Sequence, residues 1–233
     1  GVGRMISVSS YLGDAELCAD LAARYSFIHF TAGVHPHEAK KWDDRVARTL
    51  RDVAQRPKSV AIGEIGLDYH YDHSPRDVQR AVFREQIAMA RELGLPIVIH
   101  TREAWSDTFS ILEQEKAGSI GGVFHCFSGG PDEARRCLDL GFYLSFAGPI
   151  TFRNAGRLPE AAACIPLDRL LIETDAPFLT PHPHRGKRNE PSQVVLVAER
   201  IAELRSVTAG EIGEATTRNL ETLFRLTERV EGA

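Results

Sequence analysis

The sequence predicts an α/β fold of the TIM-barrel, (β/α)8 type. Short apolar runs alternate with helical patterns along the whole chain, which is typical of a parallel sheet covered by helices. Four of these runs are followed by a side chain that can bind a metal ion, namely Glu64, His100, His125 and Asp175. Because barrel enzymes carry their sites at the carboxyl ends of strands, this pattern predicts a metal-dependent hydrolase.

The first half of the chain contains four predicted strands and four predicted helices. Apolar residues at helical spacing define the helices, and Gly94 with Pro96 ends the third of them. The predicted strands cover residues 5–9, 27–34, 59–63 and 95–99. The predicted helices cover residues 14–25, 43–54, 75–93 and 104–117.

The second half continues the alternation with three strands and four helices. The predicted strands cover residues 121–124, 142–146 and 170–174. The predicted helices cover residues 132–140, 158–164, 192–204 and 209–226. Ser192 and Thr208 are predicted N-caps of the last two helices, because their hydroxyls can accept from free backbone N–H groups. No linker or low-complexity tract interrupts the pattern, which predicts one domain over residues 1–233.

The composition is that of a globular protein without a membrane-spanning helix. With 43% hydrophobic and 26% charged residues, the 233-residue chain is typical of globular proteins with a sizeable core. No apolar stretch approaches the roughly 20 residues of a membrane helix, and no export signal is evident. The four cysteines are far apart, which favours a cytoplasmic protein with reduced thiols. A net charge of −4 neither indicates nor excludes a nucleic-acid substrate, since a local basic segment such as residues 182–188 can hold phosphates.

The four candidate ligands suit divalent metal ions. Imidazole and carboxylate groups together bind Zn, Mn or Co, and Mg where carboxylates dominate. Each residue also has an ordinary structural interpretation, since a histidine after a strand is often a polar cap and Asp175 could be only a turn residue. Four unrelated polar caps would not be expected to be two carboxylates and two imidazoles. The combination therefore favours a metal site.

Residues near these positions are candidate substrate contacts. Arg102, two positions after His100, could hold a phosphate or be a surface residue, and Tyr69 could line a substrate groove. Asp68 could orient a metal ligand. The basic segment that includes Lys187 and Arg188 is either a solvated loop or a grip on a nucleic-acid backbone.

Six stretches recur in order along most of the chain. They are Gly-Val-His-Pro-His at 33–37, Gly-Glu-Ile-Gly-Leu-Asp-Tyr at 63–69, Pro-Ile-Val-Ile-His at 96–100 with Arg102, His-Cys-Phe-Ser-Gly at 125–129, Leu-Ile-Glu-Thr-Asp-Ala-Pro at 171–177 and Arg-Asn-Glu-Pro at 188–191. At these residues the chain resembles the TatD-related deoxyribonuclease family of amidohydrolase-like enzymes. The resemblance implies a TIM barrel, divalent ions (Mg, Mn or Zn, two per site) and hydrolysis of DNA, often as a 3′-to-5′ exonuclease.

The resemblance also implies roles for individual residues. Glu64 would bridge two metal ions, His100 and His125 would hold one ion, and Asp175 would hold the other. His35 would lie near the scissile phosphate or beside a ligand. On the hypothesis of a DNA phosphodiesterase, Asp175 would also act as a base, Arg102, His35 or the loop of Lys187 and Arg188 would grip the backbone, and Tyr69 would line the substrate groove.

The chain departs from the family at its start. Family members open with a strand that ends in His-x-His, whereas this chain begins at what resembles the second strand. About one βα unit, on the order of 25–30 residues, is therefore expected to be missing. Two open sheet edges, at the strands of Met5 and Leu170, would then favour self-association. The first of the two ions would lose two ligands and bind weakly, while the ion held by Glu64, His100 and His125 could remain.

Two other functions remain open from the sequence. The same site could hydrolyse an amide or ester of a small or aminoacyl substrate, as an amidase, lactonase or deacylase. The lack of an obvious lysine after a strand, where a carbamylated bridge could form, counts against that branch. A barrel that lacks one metal could also be an inactive binding protein.

Overall fold

The computed structural model describes residues 2–226 and contains, within that range, seven strands and eight α-helices that alternate along the chain. The strands are β1 Met5–Ser7, β2 Ile28–Ala32, β3 Ser59–Asp68, β4 Ile97–Arg102, β5 Gly122–Phe124, β6 Tyr143–Phe146 and β7 Leu170–Ile172. The helices are α1 Leu12–Arg24, α2 Asp44–Ala54, α3 Arg76–Leu93, α4 Trp105–Gln114, α5 Pro131–Asp139, α6 Leu158–Cys164, α7 Val194–Arg205 and α8 Ala209–Phe224. The predicted α/β class and the predicted count of seven strands are both confirmed.

The chain divides into two compact units. The N-terminal unit comprises residues 3–123 and carries β1 to β4, and the C-terminal unit runs from residue 124 and carries β6 and β7. The prediction of a single domain over residues 1–233 stays a prediction.

In the N-terminal unit the four strands pair in parallel, in the order β1, β2, β3, β4. The pairing of β3 with β4 shifts between Ile62 and Ile65, because three steps along β3 match only two steps along β4. Glu64 lies inside this β-bulge. A bulge turns the side chain of the extra residue away from the regular alternation of the strand, and bulges are common next to active sites.

Five predicted strand ends are wrong: the first, second and seventh predicted strands run two residues too far, and the third and fourth are too short. The prediction ended the third strand at residue 63 and the fourth at residue 99, whereas β3 continues to Asp68 and β4 to Arg102. Glu64 and His100 consequently lie within paired strands and not just beyond them. The reason is that backbone pairing between β3 and β4 continues through residues whose polar side chains interrupt the apolar pattern.

Close packing of the backbone beside this bulge requires glycine. A methyl group on Gly63 would lie 2.5 Å from Val98 Cβ, and one on Gly33 would lie 2.4 Å from the carbonyl carbon of Gly63. Larger side chains at either position would push apart β3 and its neighbours. The surrounding core is apolar, and its largest fully buried members include Phe30, Ile65 and Ile99.

Helix α3 holds the loop after β2 and the end of β3 in place with two buried glutamines. The Gln86 side chain accepts from Val34 N–H at 2.8 Å and donates to Val34 O at 2.9 Å. Two turns earlier on the helix, Gln79 accepts from Asp68 N–H at 2.8 Å and donates to Asp68 O at 3.1 Å. Val34 lies beyond the end of β2, and Asp68 is paired with Arg102 of β4 but lies beyond the part of β3 that pairs with β2. Each amide therefore supplies hydrogen bonds that strand pairing does not.

In the C-terminal unit β6 and β7 pair in parallel, with Leu144 beside Leu170. Thr208 is the N-cap of α8, and with Glu211 it forms a capping box, as predicted for Thr208. The predicted N-cap at Ser192 is wrong, because a short 3-10 helix over Pro191–Gln193 precedes α7. Within residues 2–226, none of the helices has the length and apolar character needed to cross a membrane.

Replacing Gln86 by Leu should lower the free energy of unfolding by about 2–4 kcal/mol, because it leaves a buried N–H and a buried C=O of Val34 without partners. Urea unfolding followed by circular dichroism measures the change. The matched control is Gln55→Leu at an exposed position after α2, which should change stability by less than about 0.5 kcal/mol. Equal effects of the two substitutions would contradict the role of Gln86.

Candidate metal centre

Three side chains of the N-terminal unit converge on one point. His35 follows β2, Glu64 comes from the bulge in β3, and His100 comes from β4. Each can offer one ligand atom, and the three atoms lie within 4.8 Å of one another. Glu64 Oε1 is the common neighbour, at 2.8 Å from His100 Nδ1 and 3.6 Å from His35 Nε2.

The His35 ring is held in a form that can bind a cation. Its Nδ1 accepts from His37 N–H at 3.2 Å, so Nε2 is the atom that faces Glu64. Burial lowers the pKa of His35 to about 3, and the negative charge of Glu64 only partly opposes that shift. His35 is therefore neutral near pH 7, and neutral imidazole is the metal-binding form.

Asp68, at the end of β3, lies beside the same cluster. Its Oδ2 is 3.0 Å from His100 Nε2 and 3.1 Å from His37 Nε2. Its Oδ1 accepts from the backbone N–H groups of His70 and Tyr71. Burial favours the neutral acid, but the hydrogen bonds from His100 and Tyr71 outweigh it and hold the pKa of Asp68 well below its usual range.

This donor set fits a divalent transition metal. Two imidazole nitrogens and one carboxylate oxygen are a common combination for Zn and Mn, and bonds of about 2.1 Å place neighbouring ligand atoms roughly 3–3.5 Å apart. The 2.8 and 3.6 Å separations around Glu64 Oε1 are close to that spacing. When bound, such an ion supplies Lewis-acid activation of water and of a phosphoryl or carbonyl group.

A second cluster of possible ligands lies in the C-terminal unit. His125 follows β5, and its Nδ1 is 2.8 Å from Glu173 Oε1 while its Nε2 is 3.6 Å from Asp175 Oδ1. Glu173 also accepts from Cys126 N–H at 3.0 Å. Sequence reasoning missed Glu173, although its spacing of two residues from Asp175 in an extended segment was a signal that both could face one side.

The loop that carries Asp175 is fixed by a third buried amide. Asn189 Nδ2 donates to Thr174 O at 2.7 Å and to Phe178 O at 2.6 Å. Asp175 itself has a φ of 58°, in the left-handed region that non-glycine residues seldom occupy. The bonds of Asn189 on either side help to hold this uncommon backbone conformation.

The predicted substrate-binding residues have different surroundings. The Arg102 guanidinium lies 4.8 Å above the ring of Tyr71, which is half exposed. The Tyr69 hydroxyl is 2.6 Å from Asp107 Oδ2, and Arg76 covers the Tyr69 ring. Lys187 and Arg188 are exposed.

The geometry thus brings together His35, Glu64 and His100 in one unit, and His125 and Asp175 in the other. A model of the TatD related DNase family matches residues 1–225 of the chain. The chain belongs to the TatD-related DNase family. It is a metal-dependent hydrolase acting on ester bonds, as the sequence predicted.

Individual relatives agree with this assignment. The chain is 51% identical to a protein of Bacillus subtilis (strain 168) named uncharacterized metal-dependent hydrolase YabD, over 89% of this chain and 81% of that protein. It is 40% identical to the 3′-5′ ssDNA/RNA exonuclease TatD of Pantoea vagans (strain C9-1), over 97% of this chain and 89% of the relative.

A solved structure supports the fold. The crystal structure of YJJV, a TatD homolog from Escherichia coli K12, matches with a TM-score of 0.91 and 32% identity, over 97% of this chain and 87% of that one. The predicted TIM-barrel type of fold is confirmed by this similarity.

His100→Ala should weaken binding of Zn or Mn by at least about 100-fold, because it removes one of three donors around Glu64. Isothermal titration after chelator treatment and desalting measures the affinity, and elemental analysis gives the number of ions per chain. His182→Ala, at an exposed loop position, is the control and should leave the affinity unchanged. Unaltered affinity in the His100 variant would refute the assignment of the cluster.

Proposed function

We propose that this chain is a divalent-metal-dependent deoxyribonuclease that removes nucleotides from the 3′ end of DNA. The observation that carries the proposal is the convergence of His35, Glu64 and His100 in a chain of the TatD-related DNase family. The name of the Pantoea vagans relative, a 3′-5′ ssDNA/RNA exonuclease, supports the choice of substrate and direction.

The proposed ligands follow from the two clusters. Glu64 and His100 hold a metal ion. The position of His35 beside them supports His35 as a third ligand of that ion. His125 and Asp175 are also proposed ligands; their mutual distance of 3.6 Å and the partial burial of both side chains support this role. The metal is Mg, Mn or Zn, and two ions are proposed for the site.

Asp175 is the proposed base of the reaction. Water adds to phosphorus, its proton passes to the Asp175 carboxylate, and the bond from phosphorus to the 3′ oxygen of the shortened strand breaks. That oxygen takes up a proton from solvent, and the terminal nucleotide leaves with the phosphate. The Asp175 side chain keeps about a quarter of its surface exposed, at 28%, so a water molecule can reach it. Glu173 occupies His125 Nδ1, which leaves Nε2 on the side of Asp175.

Substrate binding is proposed for four residues. Arg102 grips a phosphate of the DNA backbone, and its stacking on Tyr71 supports this role because it preorganises the guanidinium. Lys187 and Arg188 add positive charge from an exposed loop. Tyr69 is the fourth proposed contact. Its hydroxyl donates to Asp107, so its ring is the part that would contact the substrate.

The cytoplasmic location and self-association through open sheet edges, both expected from the sequence, stay predictions. The exposed apolar side chains of Leu17 and Leu21 on α1 support the latter. A comparison of DNA with ester and amide substrates separates the proposed nuclease from an amidase or deacylase with the same ligands.

Glu64→Ala should reduce kcat for hydrolysis of a 3′-labelled single-stranded oligonucleotide by about 10²–10³-fold or more, the scale of removing one key charged group from a preorganised site. Circular dichroism should show an unchanged fold. Glu103→Ala is the control, because this exposed carboxylate pairs with His70 and touches none of the candidate ligands. Persistent activity in the Glu64 variant would refute the site.

Arg102→Ala should raise KM for single-stranded DNA about tenfold and reduce the salt dependence of binding by about one phosphate contact, while kcat changes little. Fluorescence anisotropy at several salt concentrations measures the slope. Arg48→Ala on the exposed face of α2 serves as the matched charge control. If both variants shift the slope equally, Arg102 makes no specific contact.

A further inference from the structure

Asp68 is a buried carboxylate whose two oxygens contact different groups. The residue is 1% exposed. Oδ1 accepts from His70 N–H at 3.1 Å and from Tyr71 N–H at 2.9 Å, while Oδ2 faces the imidazole of His100 at 3.0 Å. The contact of Oδ2 with His37 Nε2, at 3.1 Å, is electrostatic and not a well-aligned hydrogen bond.

These contacts decide which nitrogen of His100 carries its proton. An ionised carboxylate only accepts hydrogen bonds, so Nε2 of His100 must donate to Asp68. In neutral imidazole the lone pair is then on Nδ1, and Nδ1 is the atom that lies 2.8 Å from Glu64 Oε1. Two acceptors that face each other at this distance require a cation or a shared proton between them.

We infer that Asp68 is a positioning residue, which fixes the tautomer and the ring orientation of His100 so that Nδ1 is presented to the metal ion. This inference rests on the proposed metal site and is independent of the substrate. A carboxylate that holds the second nitrogen of a metal-binding histidine typically contributes 10–100-fold to metal affinity.

The rest of the chain keeps Asp68 in place. Gln79 bonds both its N–H and its C=O, so the backbone of Asp68 is fixed from α3. The two N–H groups at Oδ1 then fix the rotation of the carboxylate. Oδ2 therefore stays directed at His100 without any contribution from the metal.

Asp68→Asn tests the tautomer directly. The two backbone N–H groups select the amide oxygen for the place of Oδ1, which puts the NH2 group opposite His100 Nε2. That group donates, so Nε2 must accept and the proton moves to Nδ1, where it blocks metal binding. Asp68→Ala removes the constraint and leaves both tautomers accessible.

The expected order of Zn affinity is therefore wild type, then Asp68→Ala, then Asp68→Asn, with the Asn variant weaker than wild type by about 100-fold or more. A purely structural role predicts the opposite order for the variants, because Asn preserves more contacts than Ala. Asp107→Asn, which alters a carboxylate bonded to Tyr69 and Arg80, is the control and should bind Zn like wild type. An Asn variant that binds as tightly as the Ala variant overturns the inference.

Long-range ¹⁵N–¹H correlation spectra of the histidine rings give a second readout. At pH 8 the wild-type His100 should carry a proton on Nε2 with or without Zn, and the Asn variant should carry its proton on Nδ1 alone. A wild-type proton on Nδ1 alone overturns the inference, even if a variant fails to fold. If wild-type protein binds no Zn, the proposed function fails, and the spectra of the metal-free protein still decide the role of Asp68.

Discussion

The buried backbone at the ends of the strands and in the loops that follow them imposes the main constraint on this structure. Where a strand loses a neighbour or a segment leaves the sheet, backbone N–H and C=O groups lack partners, and an unpaired buried group costs about 1–3 kcal/mol. Three side-chain amides supply the missing partners: Gln86 at Val34, Gln79 at Asp68, and Asn189 at Thr174 and Phe178. Each bonded segment adjoins or contains a residue of the candidate site, so the positions of the ligands depend on these amides.

The bulge in β3 is the second determinant of the site. A regular strand would alternate Gly63 and Glu64 between the two faces of the sheet, whereas the extra residue redirects Glu64 toward His35 and His100. The close approach at Gly63 and Gly33 allows that backbone path. His100 in turn is set by Asp68, four residues after Glu64 on the same strand. One strand thus carries both a proposed metal ligand and the group that orients its neighbour.

Sequence reasoning predicted much of this arrangement. The alternation of apolar runs with helical spacing was sufficient for the α/β class, for seven strands and for the segments that carry Glu64, His100, His125 and Asp175. It could not predict the bulge, because strand register depends on pairing between residues distant in sequence. It also missed Glu173, whose contact with His125 joins positions nearly fifty residues apart. His35 was expected near the scissile phosphate or beside a ligand, and only the folded geometry groups it with Glu64 and His100 as a possible ligand itself.

The chemistry of the three amides has a consequence for the behaviour of the protein in acid. Gln79, Gln86 and Asn189 do not titrate, so acidification leaves their hydrogen bonds intact. The candidate ligands are imidazoles and carboxylates, which take up protons and release metal as the pH falls. Lowering the pH should therefore weaken metal binding while the hydrogen bonds of the three amides persist, and His35, whose pKa is about 3, should keep its metal-binding form in mild acid.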